Sequence, residues 1–145
     1  MRLKTFILLF SLFFFKTYSQ IRYDVERATI SIKDFNSIKV YSGLEVKLIP
    51  SDKNIVYVYG DNIEKVIISL KRKTMKIKLP VESLFKTGYN YIEVFYRKNL
   101  EFISAYQGSV ITNKKTIKSN QISIKAKEGS NILVKISVNN LKANV

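Results

Sequence analysis

Residues 103–117 read ISAYQGSVITNKKTI, and residues 124–138 read IKAKEGSNILVKISV. The pair Gly108-Ser109 returns as Gly129-Ser130, at an offset of 129 − 108 = 21 residues. Repeats of about 20 residues in a strand-rich chain are typical of solenoids, in which each coil buries its inward side chains against the next. The alternative is a chance match in a tail rich in Ile and Ser. At the 21-residue offset the aligned apolar pairs are Ile103 with Ile124, Ala105 with Ala126, Ile111 with Ile132, and Ile117 with Val138.

Strand-like alternation extends along the chain from Ile30 onward. Apolar side chains take every second position in segments 38–41, 44–48, 56–59 and 75–79, with Lys, Glu or Tyr between them. A period of two places alternate side chains on opposite faces of a strand. We therefore predict an all-β fold with about ten or eleven short strands.

Turn-forming residues separate these runs. Residues 62–70 alone favour a helical turn, and their cluster Val66-Ile67-Ile68 favours a strand at the end because β-branched side chains are stiff. The predicted turns are Ser42-Gly43, Pro50-Ser51-Asp52, Gly60-Asp61-Asn62, Thr87-Gly88 and Gly108-Ser109.

The 145 residues include no histidine and no cysteine. This composition excludes Ser-His-Asp triads, cysteine nucleophiles, disulfides and the usual zinc or haem ligand sets. We therefore predict no metal and no cofactor. The carboxylates are spread singly, and the one pair two residues apart, Asp24 and Glu26, precedes the domain. Glycosidases and lyases need two converging carboxylates, or one with a base. The sequence thus predicts a protein that is not an enzyme. Catalysis would require carboxylates that are distant in the sequence to converge in the fold.

The N-terminus has the parts of a secretory signal peptide. A basic start, Met1-Arg2-Leu3-Lys4, precedes the apolar residues 5–15 and a cut after Ser19. The apolar run is shorter than the roughly 20 residues of a transmembrane helix, and a retained anchor is the alternative. No cysteine follows the run, so a lipid anchor is not expected. We predict secretion across the inner membrane, to the periplasm, the outer membrane surface or the medium.

The predicted organisation is a signal peptide at 1–19, an N-terminal lead-in at 20–33 and a single β-solenoid domain at 34–145. Cleavage would remove three cations, Arg2, Lys4 and Lys16, and lower the formal charge from +14 to 14 − 3 = +11.

Several short segments, taken in order, resemble one known family. They are DFNSIKV at 34–40, GLEV at 43–46, PSD at 50–52, VYVYGDN at 56–62, MKI at 75–77 and YIEV at 91–94, followed by the two Gly-Ser coils. The chain is similar, over nearly all of residues 35–145, to the family "putative auto-transporter adhesin, head GIN domain".

This resemblance implies a right-handed β-helix-like fold distantly akin to pectin lyases, without the catalytic residues of that superfamily. It also implies a role at the surface of Gram-negative bacteria. Domains of this family usually continue for several more coils, so the resemblance implies a shortened C-terminus whose open coil could form a homo-oligomer.

Basic residues concentrate at 71–78 and 114–118. Outward lysines on neighbouring strands create a field that attracts phosphates or acidic sugars. The alternative, which we favour, is a solvated hairpin loop and lysines that guard a sheet edge. Lysine outnumbers arginine 20 to 5, although arginine is the better phosphate ligand. The polyanion-binding candidates are Lys71, Arg72, Lys73, Lys76, Lys114, Lys115 and Lys118.

Outward tyrosines are candidates for sugar stacking, because the ring offers an apolar face and a hydroxyl. The candidates are Tyr41, Tyr57 and Tyr59, and the alternative is that tyrosine simply favours strands. Aromatic residues also occur at 89–91 and 95–96, the latter followed by Arg97 and Lys98, and such combinations of rings and cations stack nucleic-acid bases in some proteins. Secretion argues against nucleic acid as a partner.

Together these observations predict a secreted, non-catalytic envelope or cell-surface module, adhesin-like or scaffolding in role. Its partner would be an envelope glycan, a lipid head group such as that of lipopolysaccharide, or an envelope protein. The alternatives are a carbohydrate-active enzyme of pectin-lyase-like ancestry and a charge-driven polyanion-binding protein.

Overall fold

The computed structural model describes residues 27–61, 63–83 and 88–145. These residues form twelve strands and two short 3-10 turns, Ile63–Lys65 and Val81–Ser83, which confirms the all-β prediction. The predicted signal peptide lies outside the described residues. The strands are β1 (Arg27–Ser31), β2 (Ser37–Val40), β3 (Glu45–Pro50), β4 (Ile55–Gly60), β5 (Ile67–Lys71), β6 (Thr74–Lys78), β7 (Asn90–Tyr96), β8 (Phe102–Ala105), β9 (Val110–Asn113), β10 (Ile117–Ala126), β11 (Asn131–Leu133) and β12 (Ile136–Asn144).

The strands form two open sheets of six strands each. Sheet A has the order β1-β4-β7-β3-β9-β11, and sheet B has the order β12-β10-β8-β2-β6-β5. Most neighbours are parallel, but β1 with β4, β4 with β7, and β5 with β6 are antiparallel. Both sheets are therefore mixed, and a regular stack of coils over the whole domain is not confirmed.

The 21-residue repeat is visible in the register of neighbouring strands. Ile124 lies opposite Ile103 in β10 and β8, and Ile132 lies opposite Ile111 in β11 and β9. From β8 to β12 the chain also alternates between the two sheets. The predicted match of Ile117 with Val138 is wrong, because Ile117 lies opposite Ile136. The offset between β10 and β12 is therefore two residues shorter than the 21 residues of the repeat.

One hydrophobic core lies between the sheets. Alternation turns Val46 and Leu48 of β3 inward from sheet A, and Ile38 and Val40 of β2 inward from sheet B. All four side chains are fully buried and belong to one apolar cluster with residues from both sheets. Burial of an aliphatic side chain of this size contributes about 1.5–3 kcal/mol, so the period-two pattern itself stabilises the two-sheet arrangement.

Two local details were not indicated by the sequence pattern. Residues 63–71 form the predicted turn and strand, but Val81–Ser83 is a second 3-10 turn that the pattern did not indicate. Within the predicted lead-in, Arg27–Ser31 forms β1 and pairs with β4, so sheet A begins before residue 34. No helix in the described part of the chain has the length and apolar character that crossing a membrane requires.

Candidate functional site

The outer surface of sheet A is lined with aromatic side chains. Alternation along β4 leaves Tyr57 and Tyr59 outside the core, and alternation along β7 leaves Tyr91, Glu93 and Phe95 outside. The register between these strands places Tyr59 opposite Tyr91 and Tyr57 opposite Glu93. We use the term tyrosine face for the side chains of Glu45, Tyr57, Tyr59, Tyr89, Tyr91, Glu93 and Phe95.

The rings of this face form a continuous strip. Phe95 meets Tyr57 edge-on at a centroid distance of 5.4 Å, and Tyr57 lies 6.4 Å from Tyr59. Tyr59 in turn lies 6.0 Å from Tyr91. The guanidinium of Arg27 lies 5.0 Å from the Tyr57 ring centroid. These distances are typical of favourable aromatic and cation–π contacts, which hold the rings in a defined arrangement.

Tyrosine hydroxyls donate hydrogen bonds to both carboxylates of the face. Tyr89 donates to Glu45 at 2.6 Å, and Tyr59 and Tyr91 each donate to Glu93 at 3.3 Å. The bond to Glu45, followed by burial, raises the pKa of Tyr89 to about 12. Burial, followed by the charge of Glu93, raises the pKa of Tyr91 to about 12. Both phenols are therefore protonated at neutral pH, and the carboxylates keep lone pairs for hydroxyl groups of a ligand.

An open pocket of about 520 Å³ lies on this face, between Tyr59, Tyr89 and Tyr91 and beside Gly60 and Glu93. Gly60 has a φ of 127°, and a Cβ at this position would overlap the backbone carbonyl of Tyr89. Glycine therefore allows the two chain segments to approach each other at the pocket. A lining of rings with a few oxygen acceptors suits a ligand that has an apolar face and hydroxyl groups.

The outer surface of sheet B has the opposite character. Its six strands carry no Asp or Glu but seven lysines: Lys39, Lys71, Lys76, Lys78, Lys118, Lys125 and Lys142. The register places Lys76 directly opposite Lys39, and Ser104 of β8 lies between Lys39 and Lys125. Two residues before Lys125 in β10, Ser123 lies opposite Lys142 of β12. We call the side chains of Lys39, Lys76, Lys125 and Lys142 the lysine face.

The predicted basic clusters are divided among different parts of the surface. Arg72 and Lys73 form the turn of the β5–β6 hairpin, both with positive φ, as the solvated-loop alternative requires. Lys71 and Lys76 lie in the strands on either side of this turn. The other cluster is elsewhere, with Lys114 and Lys115 in the β9–β10 connection and Lys118 in β10. The two clusters share no strand pairing among the described residues, and their role in binding stays a prediction.

The three predicted sugar-stacking tyrosines are likewise separated. Tyr57 and Tyr59 lie on the tyrosine face, but Tyr41 follows β2 in sheet B. The Tyr41 ring stacks on Tyr106 at 4.8 Å with an interplanar angle of 10°, and Lys125 lies 5.9 Å from the Tyr106 centroid. Tyr106 therefore already covers one face of the Tyr41 ring. Burial, followed by the charges of Tyr106 and Glu128, raises the pKa of Tyr41.

The residues that complete the tyrosine face were not candidates in the sequence analysis. Glu45 and Tyr89 are 44 positions apart and meet because β3 and β7 are neighbours in sheet A. Glu93 joins them from the middle of β7. The available signal was the alternation YIEV at 91–94, which places Tyr91 and Glu93 on the same side of one strand.

Comparison with protein families identifies the chain. The family model "Putative auto-transporter adhesin, head GIN domain" matches residues 34–145. The chain belongs to this family. No curated protein matches the head GIN chain.

Solved structures share the fold of this head GIN chain. A putative adhesin from Bacteroides fragilis NCTC 9343 has 16% identity and a TM-score of 0.61, with 83% of this chain and 56% of that chain covered. A putative adhesin from Parabacteroides merdae ATCC 43184 has 14% identity and a TM-score of 0.60, with coverage of 84% and 59%. A putative lipid binding protein from Parabacteroides distasonis ATCC 8503 has 15% identity and a TM-score of 0.63, with coverage of 84% and 63%. This chain thus spans less than two thirds of each of these proteins.

An ion-pair cluster fixes the start of the head GIN domain. Arg97 donates to both oxygens of Asp34, at 2.8 and 2.9 Å, and the Lys98 ammonium lies 3.0 Å from Asp34. Asn54 donates to Asp34 at 2.7 Å and accepts from the backbone N–H of Arg97 at 2.8 Å. The cluster therefore joins the β1–β2, β3–β4 and β7–β8 connections.

This cluster predicts a loss of stability in acid. The hydrogen bonds from Lys98 and then Arg97 lower the pKa of Asp34 from 3.8 to about 2. An unfolded chain therefore protonates Asp34 before the folded chain does, as the pH falls. The stabilisation by this carboxylate is fully present above pH 3.8 and is lost as the pH falls towards 2. We expect D34N to be less stable than wild type in urea at pH 6, with a difference that narrows below pH 3.8.

The control is E82Q, which neutralises an exposed carboxylate in the second 3-10 turn. Its stability difference from wild type should be small and independent of pH. A D34N difference that persists unchanged at pH 2.5 would contradict the assignment.

Proposed function

We propose that this protein is an extracytoplasmic, adhesin-like module that binds a neutral glycan on its tyrosine face. The observation that carries the proposal is the presence of four neighbouring rings and two carboxylates on one outer sheet surface. The apolar face of a pyranose packs on an aromatic ring, and pairs of sugar hydroxyls donate to carboxylate oxygens. The pocket beside Gly60 combines both features.

Family membership and the predicted signal peptide support a location outside the cytoplasm. The family description names an auto-transporter adhesin, and similar solved structures are described as putative adhesins. We further propose that the alternation of β8 to β12 between the two sheets is the start of a β-solenoid. The strand β12 lies at the edge of sheet B, and a homo-oligomer through it stays a prediction.

Binding to an array of neutral glycans tests the proposed function. We expect the purified protein to bind a subset of neutral sugars. The variant Y59A/Y91A should bind about 5- to 150-fold more weakly, since each of the two ring contacts contributes about 0.5–1.5 kcal/mol. Y59F/Y91F keeps the rings and loses the hydroxyls, so it should retain part of the affinity. E93Q should weaken binding by removing a charged acceptor.

The matched control for this experiment is Y41A, which removes a tyrosine of sheet B that is stacked on Tyr106. Its glycan binding should equal that of wild type. The proposal fails if no neutral glycan binds, or if Y59A/Y91A binds as wild type does while its circular dichroism spectrum is unchanged.

A carbohydrate-active enzyme is the second candidate, because Glu45 and Glu93 share the tyrosine face. Both carboxylates accept hydrogen bonds from tyrosines and lie on an open surface rather than in a cleft that encloses a glycosidic bond. Release of reducing sugar from a bound glycan, abolished by E45Q or E93Q, would favour the enzyme.

A further inference from the structure

Protection of a sheet edge does not account for the central residues of the lysine face. Edge strands often carry lysine because its charge prevents pairing with another chain. Lys39 lies in β2, which has β8 and β6 as neighbours, and Lys125 lies in β10, which has β12 and β8 as neighbours. Both lysines therefore stand on interior strands that have no free edge to protect.

The close placement of lysines on this face also lowers the stability of the folded protein. Lys39 and Lys76 lie directly opposite each other on neighbouring strands, where like charges are destabilising. No ion pair joins any lysine of this face to an acid among the described residues, and the sheet B strands contain no carboxylate. An anionic ligand would remove this repulsion, as surface charge complementarity does in other complexes.

The surface between the lysines is polar. A depression of about 450 Å³ on the lysine face is lined by Lys39, Lys125 and Lys142, with small hydroxyl side chains among them. Strands are about 4.8 Å apart, so Lys39 and Lys125 are separated by about 10 Å across Ser104. The polar lining consists of Ser37, Thr74, Ser104, Ser123 and Asn144, with Phe102 and Tyr106 as the aromatic members.

We propose that the lysine face binds an acidic polysaccharide. The ammonium groups would contact carboxylates or phosphates spaced along the chain, and the serine and threonine hydroxyls would bond to sugar hydroxyls between them. This site is on the opposite side of the core from the tyrosine face, so it does not depend on the proposed function. Three of its four lysines, Lys39, Lys125 and Lys142, are outside the basic clusters that the sequence indicates.

The composition of the face favours a polysaccharide over a lipid bilayer. Proteins that lie in a membrane surface bury a large apolar face at the boundary with the acyl chains. Here Phe102 is the large apolar side chain exposed within the depression, with 48% of its surface accessible. Its neighbours on the adjacent strands are Ser37 and Ser123. Their hydroxyls can form hydrogen bonds with sugar hydroxyls but not with acyl chains.

Titration with polygalacturonate, a carboxylated polysaccharide, tests the inference. We expect the full chain to bind polygalacturonate at about 20 mM salt and to lose at least about tenfold in affinity at about 200 mM, because binding releases counterions. The variant K39Q/K76Q/K125Q/K142Q should bind at least about tenfold more weakly at the lower salt concentration. Binding of neutral glycans should be the same for this variant as for wild type.

The control K33Q/K53Q/K127Q/K135Q removes the same charge from exposed lysines in connections between strands, outside both basic clusters. It should retain most of the affinity for polygalacturonate. An equal loss in both variants would overturn the inference, because net charge alone would explain binding. It would also be overturned by binding to vesicles of phosphatidylglycerol and phosphatidylethanolamine without binding to polygalacturonate. Urea unfolding of both variants shows whether each is folded.

Discussion

Replacement of Ile103 by alanine is expected to lower the free energy of unfolding by about 2–5 kcal/mol. Ile103 is fully buried in β8, with Ile124 of β10 opposite it on one side and Ile38 of β2 on the other. The substitution removes apolar contacts and leaves a cavity between three strands of sheet B. Urea unfolding followed by circular dichroism at 25 °C measures the change.

The control for this prediction is I67A, which makes the same change in β5, where Ile67 is 41% exposed. It should cost clearly less than I103A, because part of the Ile67 side chain is already in contact with water and its removal leaves no enclosed cavity. Equal losses in I103A and I67A would contradict the assignment of Ile103 to the enclosed core and of Ile67 to its margin. If I103A does not fold, the conservative I103V should still cost about 0.5–1.5 kcal/mol.

The second large effect is expected for G60A. The added Cβ would overlap the Tyr89 carbonyl, and the φ of 127° is unfavourable for any residue with a side chain. Backbone strain and overpacking together should cost about 2–4 kcal/mol. Because Gly60 and Tyr89 both line the tyrosine-face pocket, neutral-glycan affinity should fall as well. Thermal unfolding and the glycan array report the two effects separately.

G108A is the matched control, because Gly108 also has a positive φ, 72°, but no atom lies within 4 Å of its Cβ position. It should cost only about 1 kcal/mol, from backbone strain alone, and should leave glycan binding unchanged. If G60A and G108A lose the same stability, the close approach of Gly60 to Tyr89 does not shape the pocket.

Local patterns predicted the strands well but could not predict which strands become neighbours. The alternation at 44–48 gives β3, and the 21-residue offset gives the pairing of Ile103 with Ile124, because both depend on positions that are close in the sequence or repeated. The pairing of β3 with β7 on one side and β9 on the other depends on how the whole chain folds back. This long-range order brings Tyr89 to Glu45.

The lysine face illustrates the same limit for function. The sequence directs attention to dense runs such as 71–78, yet Arg72 and Lys73 of this run form a hairpin turn. Lys39 and Lys125 are isolated in the sequence and come onto one surface because β2 and β10 both pair with β8. A surface built from parallel strands collects single residues from distant segments, so linear charge density is a poor guide to it.

The thin core between the sheets has a consequence for how the molecule can be used. A single apolar cluster separates an aromatic exterior with charges of both signs on sheet A from a cationic exterior on sheet B. Ligands on opposite sides of such a slab cannot obstruct each other, so occupancy of one side leaves the other available. If both proposed sites are occupied, one molecule would connect a neutral glycan on sheet A to an acidic polysaccharide on sheet B, and neither ligand would displace the other.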